Sequence, residues 1–270
     1  MTAAGFLALK CLHELGIELR GDVYAESVVD EENGGVNGTL AARLRNPDID
    51  FALLAENSGL AVGVETIGGS DWKATVMEAG SGGIGAGIGQ ANPIYTLSKI
   101  ALALEKYDKH LAGIAPPPAY PNDMRIRLLT YQLASGGSTY ADSGGVPTTG
   151  HLIFWQEVFA DTTEEAGRKE LLDFIERQLN VDGGIAGARP RIETTIRFLE
   201  GHRTAPRHPA LASIARAYGR LGLPCERRGI PFATDAYAFR KASKTDVAVI
   251  PRGTTRTGST SVLRWRASSP

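Results

Sequence analysis

The sequence predicts an α/β protein: a parallel-type sheet interrupted by an inserted ferredoxin-like βαββαβ domain. Three observations carry that expectation. Residues 22 to 56 read as strand, helix, strand, the pattern of a parallel sheet whose ligands gather at the carboxyl ends of its strands. From about residue 64 the apolar periodicities run strand, helix, strand, strand, helix, strand, which is the split βαβ unit. After residue 208 a helix and two short strand patterns look like a return to the first sheet. The expected divisions are residues 1–63 and 203–250 for the first domain, 64–202 for the insert, and 251–270 for a tail.

In chain order, Phe6, Leu7, Leu9, Leu12 and Leu15 stand at helical spacings over residues 3–15, and Gly16 stops that helix. Asp22–Val29 reads as a strand that delivers Asp30, Glu31 and Glu32 to the turn Asn33–Gly34–Gly35. A short helix, Thr39–Leu44, leads away to a turn at Asn46–Pro47–Asp48. Ile49–Ala55 is then a buried strand ending in Glu56.

Within the insert, strands are expected at Asp71–Glu78, Arg125–Ala134, His151–Ala160 and Arg191–Leu199, with helices at Asn92–His110 and Thr162–Leu179. Asp161, with Glu164 three residues on, reads as a capping-box variant. Residues 115–121, rich in proline, form a stiff connector. Beyond it, His208–Leu221 places Leu211, Ile214, Ala215 and Tyr218 on one helix face, and Ala236–Phe239 and Asp246–Ile250 read as strands. The segment 251–270 holds Arg252, Arg256, Arg264 and Arg266 with no acid, and poor order is expected there.

Composition narrows the function classes. A net charge of −1 over 270 residues supplies no field that draws nucleic acid or an anionic membrane. At 43% hydrophobic residues the chain fits a globular protein, and no apolar stretch approaches the roughly 20 residues of a membrane span. The N-terminus has no basic region before its apolar residues, and Cys11 and Cys225 lack metal-site spacing. A cytoplasmic protein with reduced thiols is the expectation.

The chemistry concentrates at the acid run. Three adjacent carboxylates repel one another unless a positive group sits among them, and a divalent metal ion answers that need. The plainer alternative is a solvated acidic turn. With Asp30–Glu31–Glu32–Asn33–Gly34–Gly35, Gly38–Thr39, Leu54–Ala55–Glu56–Asn57–Ser58–Gly59–Leu60 and Ala233–Thr234–Asp235–Ala236 falling in order after the helix Ala3–Leu9, the chain resembles the two-metal amidohydrolase and peptidase family of acetylornithine deacetylase, succinyl-diaminopimelate desuccinylase and carboxypeptidase G.

The resemblance implies a catalytic sheet and an inserted dimerisation lid that makes homodimers. It implies two zinc ions, with cobalt or manganese as alternatives, and hydrolysis of an amide bond in an N-acyl amino acid or small peptide. It assigns Glu31 as general base, Glu32 and Glu56 as ligands of one metal each, and Asp235 to the neighbourhood of the substrate. It also places a His-x-Asp motif and a bridging Asp upstream of Met1, a metal-binding His where the tail stands, and a lid His within Gly80–Gly87, where none occurs. The expectation is therefore an incomplete sheet and an incomplete ligand set, with little activity from this chain by itself.

Two rival readings stand beside this. One is a catalytically inactive dimerisation or interaction module. The other is nucleotide binding through Gly80–Ser81–Gly82–Gly83–Ile84–Gly85, which fits G-x-G-x-x-G but has its acid, Glu105, inside a helix rather than after a second parallel strand.

Overall fold

Two sheets, each with its own helices, organise the described residues. The structure is a computed structural model and describes residues 2–46, 49–56, 58–77, 92–136, 147–181, 189–243 and 245–251. In chain order the elements are α1 (Thr2–Glu14), α2 (Ala41–Arg45), β1 (Phe51–Glu56), β2 (Val62–Thr66), β3 (Gly68–Met77) and α3 (Pro93–Ala112). There follow β4 (Leu128–Ser135), β5 (Thr149–Val158), α4 (Glu164–Val181) and β6 (Arg191–Thr194). The last are β7 (His202–Arg203), α5 (Pro209–Arg220), β8 (Arg227–Ile230), α6 (Ala236–Ala242) and β9 (Asp246–Pro251). No helix among the described residues is long and apolar enough to cross a membrane.

The chain divides into two compact units, residues 1–66, 202–230 and 238–270 in one, and 67–201 with 231–237 in the other. In the first unit the strand order is β1-β9-β2-β7, with β8 also beside β2. β1 and β9 run parallel in unbroken register from Phe51 opposite Asp246 to Glu56 opposite Pro251. β2 is parallel to β8 but antiparallel to β7 and β9, so the sheet is mixed rather than wholly parallel. Apolar runs such as Val247–Ala248–Val249 suit strands buried on both faces. Val62, Leu211 and Ala248 form the centre of this unit's core, with Phe51, Ile214 and Tyr218 packed around them. Gly63 sits where a side chain has no room: a Cβ there would lie 2.4 Å from Ile230 Cγ1 and 2.7 Å from Val249 Cβ. α5 starts on His208, whose Nδ1 accepts from the Ala210 N–H, with Pro209 in the first turn where a missing N–H costs nothing.

The second unit runs β3-α3-β4-β5-α4-β6, and its sheet is ordered β4-β5-β3-β6 with every pairing antiparallel. That element order is the split βαβ. Trp72, Ala74 and Val76 of β3 and Leu152, Phe154 and Val158 of β5 are buried at the two-residue spacing of a pleated strand. Leu97, Ile100, Leu104, Tyr107 and Leu111 of α3 and Leu171, Ile175 and Leu179 of α4 join the same core at helical spacings. Asn92 starts α3 by accepting the Ile94 N–H at 2.9 Å.

Several local expectations are corrected. Asp22–Val29 forms no strand. Val23, Tyr24, Val28 and Val29 are exposed, and among the described residues β1 is paired with β9 alone, so the apolar pattern there lacks the ladder a strand requires. Ala236–Phe239 is helix, because a short fully buried apolar run reads alike for strand and helix, and the Thr234 hydroxyl accepts the Ala236 N–H at 3.1 Å as a cap. The α4 start is set by Thr163, whose Oγ1 accepts from the Ala166 N–H, rather than by Asp161. β6 stops at Thr194, and Leu199 meets Gly69 only as an isolated bridge. Val62–Thr66 forms β2, a strand that the apolar pattern does not announce, and β3 begins at Gly68 rather than Asp71. The Gly80–Gly85 loop, Asn57 and residues 252–270 lie outside the described residues.

Candidate active site

The acid turn is built from three left-handed residues. Asp30 has φ 68°, Gly34 86° and Gly35 61°, and Asp30 is the single non-glycine with positive φ among the described residues. Aspartate tolerates that region better than most side chains, and glycine has no Cβ to clash. Between them Glu31–Asn33 makes one tight turn, closed by the Gly34 N–H to Glu31 O at 2.9 Å and the Gly35 N–H to Asp30 O at 2.7 Å. The Leu40 N–H then reaches Gly35 O at 3.0 Å across a wide turn, Val36–Leu40, that feeds α2.

Asp30 is spoken for within this loop. Its Oδ2 accepts from the Asn37 backbone N–H at 3.3 Å and from Asn37 Nδ2 at 3.2 Å. The three-acid run is thus one structural carboxylate followed by two others. Glu31 is half-buried and Glu32 exposed, adjacent on the same turn.

Glu56 ends β1 and is half-buried. The turn after it is fixed by the Ser58 N–H to Glu56 O at 2.9 Å, by Ser58 Oγ to Ala61 O at 2.9 Å, and by Gly59 at φ +66°. Arg228 of β8 donates to Ser58 O from the other strand. Glu31, Glu32 and Glu56 belong to the same compact unit. Asp235 belongs to the other, buried immediately before α6 beside the Thr234 cap.

Among the described residues, no group of three His, Cys, Asp or Glu side chains is placed to hold a metal ion. Catalytic zinc ordinarily takes about three protein ligands. The described residues therefore do not fit a dinuclear centre by themselves.

Sequence reasoning missed the residues that hold these turns. Arg43 is wholly buried, while its neighbour Leu44 is 68% exposed, the reverse of what apolar patterning suggests. The Arg43 guanidinium pairs with Glu26, Nη1 donates to Asn46 O at 3.2 Å, and its Cζ lies 5.2 Å from the Phe239 ring centroid. Asn37, which holds the Asp30 carboxylate, lies in the run Gly34–Gly35–Val36–Asn37–Gly38, which marks a turn but not that partnership.

No protein-family model matches the chain. A curated protein, the N-formyl-4-amino-5-aminomethyl-2-methylpyrimidine deformylase of Bacillus subtilis, is 23% identical over 245 residues, which cover 83% of this chain and 55% of that protein. The solved structure of aminopeptidase PepT from Bacillus cereus matches with a TM-score of 0.63 at 15% identity, covering 96% of this chain and 63% of that one. The Bacillus subtilis YxeP protein, described as a dinuclear metal binding peptidase from the M20 family, matches with a TM-score of 0.54 at 14% identity, covering 85% and 56%. The α/β fold of this chain is the fold of these two peptidase structures. The chain spans about half the length of the curated relative it matches.

Proposed function

We propose that this chain carries the scaffold of a metal-dependent hydrolase acting on an amide bond of an N-acyl amino acid or small peptide. The observation that carries the reading is the acid turn. Two adjacent carboxylates, Glu31 and Glu32, are held on a turn whose own aspartate is already engaged, in a chain with the fold of dinuclear metallopeptidases. In this reading Glu31 takes a proton from the attacking water and passes it to the leaving amine. Glu32 and Glu56 would each offer one carboxylate to zinc, or to cobalt or manganese, and Asp235 would contribute to holding the substrate.

Because the described ligands fall short of three, the chain by itself binds zinc weakly and turns over slowly. The test is hydrolysis of a panel of N-acyl amino acids and dipeptides with added Zn2+, Co2+ or Mn2+. Slow metal-dependent release that vanishes in Glu31→Gln supports the proposal, and equal rates for the two proteins across the panel end it. Calorimetric titration checks the weak-binding clause, which tight uptake of two zinc equivalents overturns.

A second reading, an interaction module, draws on one observation. Among the described residues β4 is an edge strand of the second sheet, and it exposes Leu129, Tyr131 and Leu133. Edge strands with exposed apolar residues pair readily with another copy. Sedimentation across a concentration series tests homodimer formation, and a monomer throughout argues against it.

A further inference from the structure

We infer that the Glu26–Arg43 ion pair is a staple that presets the acid turn, making Arg43 a positioning residue for Glu31 and Glu32. The inference rests on the reading of those two carboxylates as the working groups.

The geometry is a set of nested closures. Innermost, the Gly35 N–H meets Asp30 O, and outside that the Asp30 carboxylate holds Asn37. Next, Val29 O lies so close to Gly38 that a Cβ there would stand 2.0 Å from it. Outermost, Glu26 and Arg43 join across the whole loop. Each rung brackets Glu31 and Glu32. Residues 17 to 29 form no helix or strand on the way in, so the outer rung fixes where the chain enters the turn.

Packing alone does not explain Arg43. Its guanidinium is fully buried and its Nε finds no hydrogen-bond partner among the described residues, which carries a desolvation cost. A leucine is available one residue along and points outward instead. Replacing a buried ion pair by apolar residues is often neutral or stabilising, so what the arginine adds is reach to one acid and a fixed loop geometry. Glu26 is the partner that solvent still touches, with its side chain 34% exposed.

Amide hydrogen exchange tests this without relying on metal or turnover. Glu26→Gln and Arg43→Met should each speed exchange of the Gly34 and Gly35 amides by roughly tenfold or more, while amides of β1 and α5 change less than about twofold. Arg43→Lys should fall between wild type and Arg43→Met. If Arg43→Met does not fold, Glu26→Gln carries the test, since it alters only the half-exposed partner. Unchanged exchange at Gly34 and Gly35, or a uniform rise that includes β1 and α5, overturns the inference. If Glu31→Gln and Glu32→Gln leave hydrolysis unaltered while the local exchange effect is present, it is the functional reading that falls and the staple that stands.

Discussion

Arg228 Nη2 donates a 2.7 Å hydrogen bond to the carbonyl oxygen of Ser58, two residues beyond Glu56. The bond joins β8 to the turn that follows β1, and it sits beside Gly59, where a Cβ would be 3.1 Å from the same nitrogen. Arg228→Ala leaves that carbonyl without its charged donor. The expected loss is about 1–2 kcal/mol in urea unfolding. Arg228→Lys should recover part of it, because an ammonium reaches one acceptor but lacks the planar fork.

Two glycines should respond in opposite directions. Gly38→Ala drives a methyl group into Val29 O and should cost about 3 kcal/mol or more, with the acid turn displaced. Gly5→Ala, within α1 and with nothing inside 4 Å of its Cβ, should gain about 0.5–1 kcal/mol from helix propensity. Urea midpoints of the two variants check the contrast.

His202 makes stability depend on acid. It is buried in β7 and accepts the Val247 N–H at Nε2 over 3.2 Å, and burial lowers its pKa from 6.5 to about 4, against the pull of Asp246. The unfolded chain takes up this proton below pH 6.5 and the native one only below about 4, so stability falls as pH drops through that window. The expected contribution is about 3 kcal/mol, fully present above neutrality. His202→Gln, which has no proton to gain, should flatten the difference in unfolding free energy between pH 7 and pH 4.5.

The N-terminal segment displays apolar side chains to solvent, among them Phe6, Leu7, Val23, Tyr24 and Val29. Exposed apolar side chains gathered in one segment of the chain favour self-association. Light scattering should show concentration-dependent growth for the wild type, and the double change Leu7→Lys with Val29→Lys should suppress it without altering the far-ultraviolet circular dichroism.

Long periodic segments were legible in the sequence. The α3 and α4 helices and the β4–β5 pair fall within a few residues of where apolar spacing put them; α3, α4 and β5 each bury a face with a regular repeat, whereas β4 leaves most of its apolar residues exposed. β2 was not, because Val62–Thr66 includes Gly63 and the buried Glu65 and Thr66, so its burial comes from neighbours on both sides rather than from its own composition. Glu65 is tolerated there through paired hydrogen bonds from Arg203, a partner 138 residues away. At the candidate site, the acid turn and its glycines could be read from local chemistry. The demotion of Asp30 to a structural role could not, nor could the burial of Arg43 in place of Leu44. Both depend on where the chain returns to, at Asn37 and at Glu26, and periodicity carries no record of that.

Opposite Glu56, β9 offers Pro251. A prolyl nitrogen has no hydrogen to give, so β9 brings one backbone donor fewer to this end of the seam. The carboxylate at position 56 therefore stands at the last paired position of β1, opposite a residue that accepts but cannot donate. A residue with an amide hydrogen at position 251 would restore that donor beside the acid.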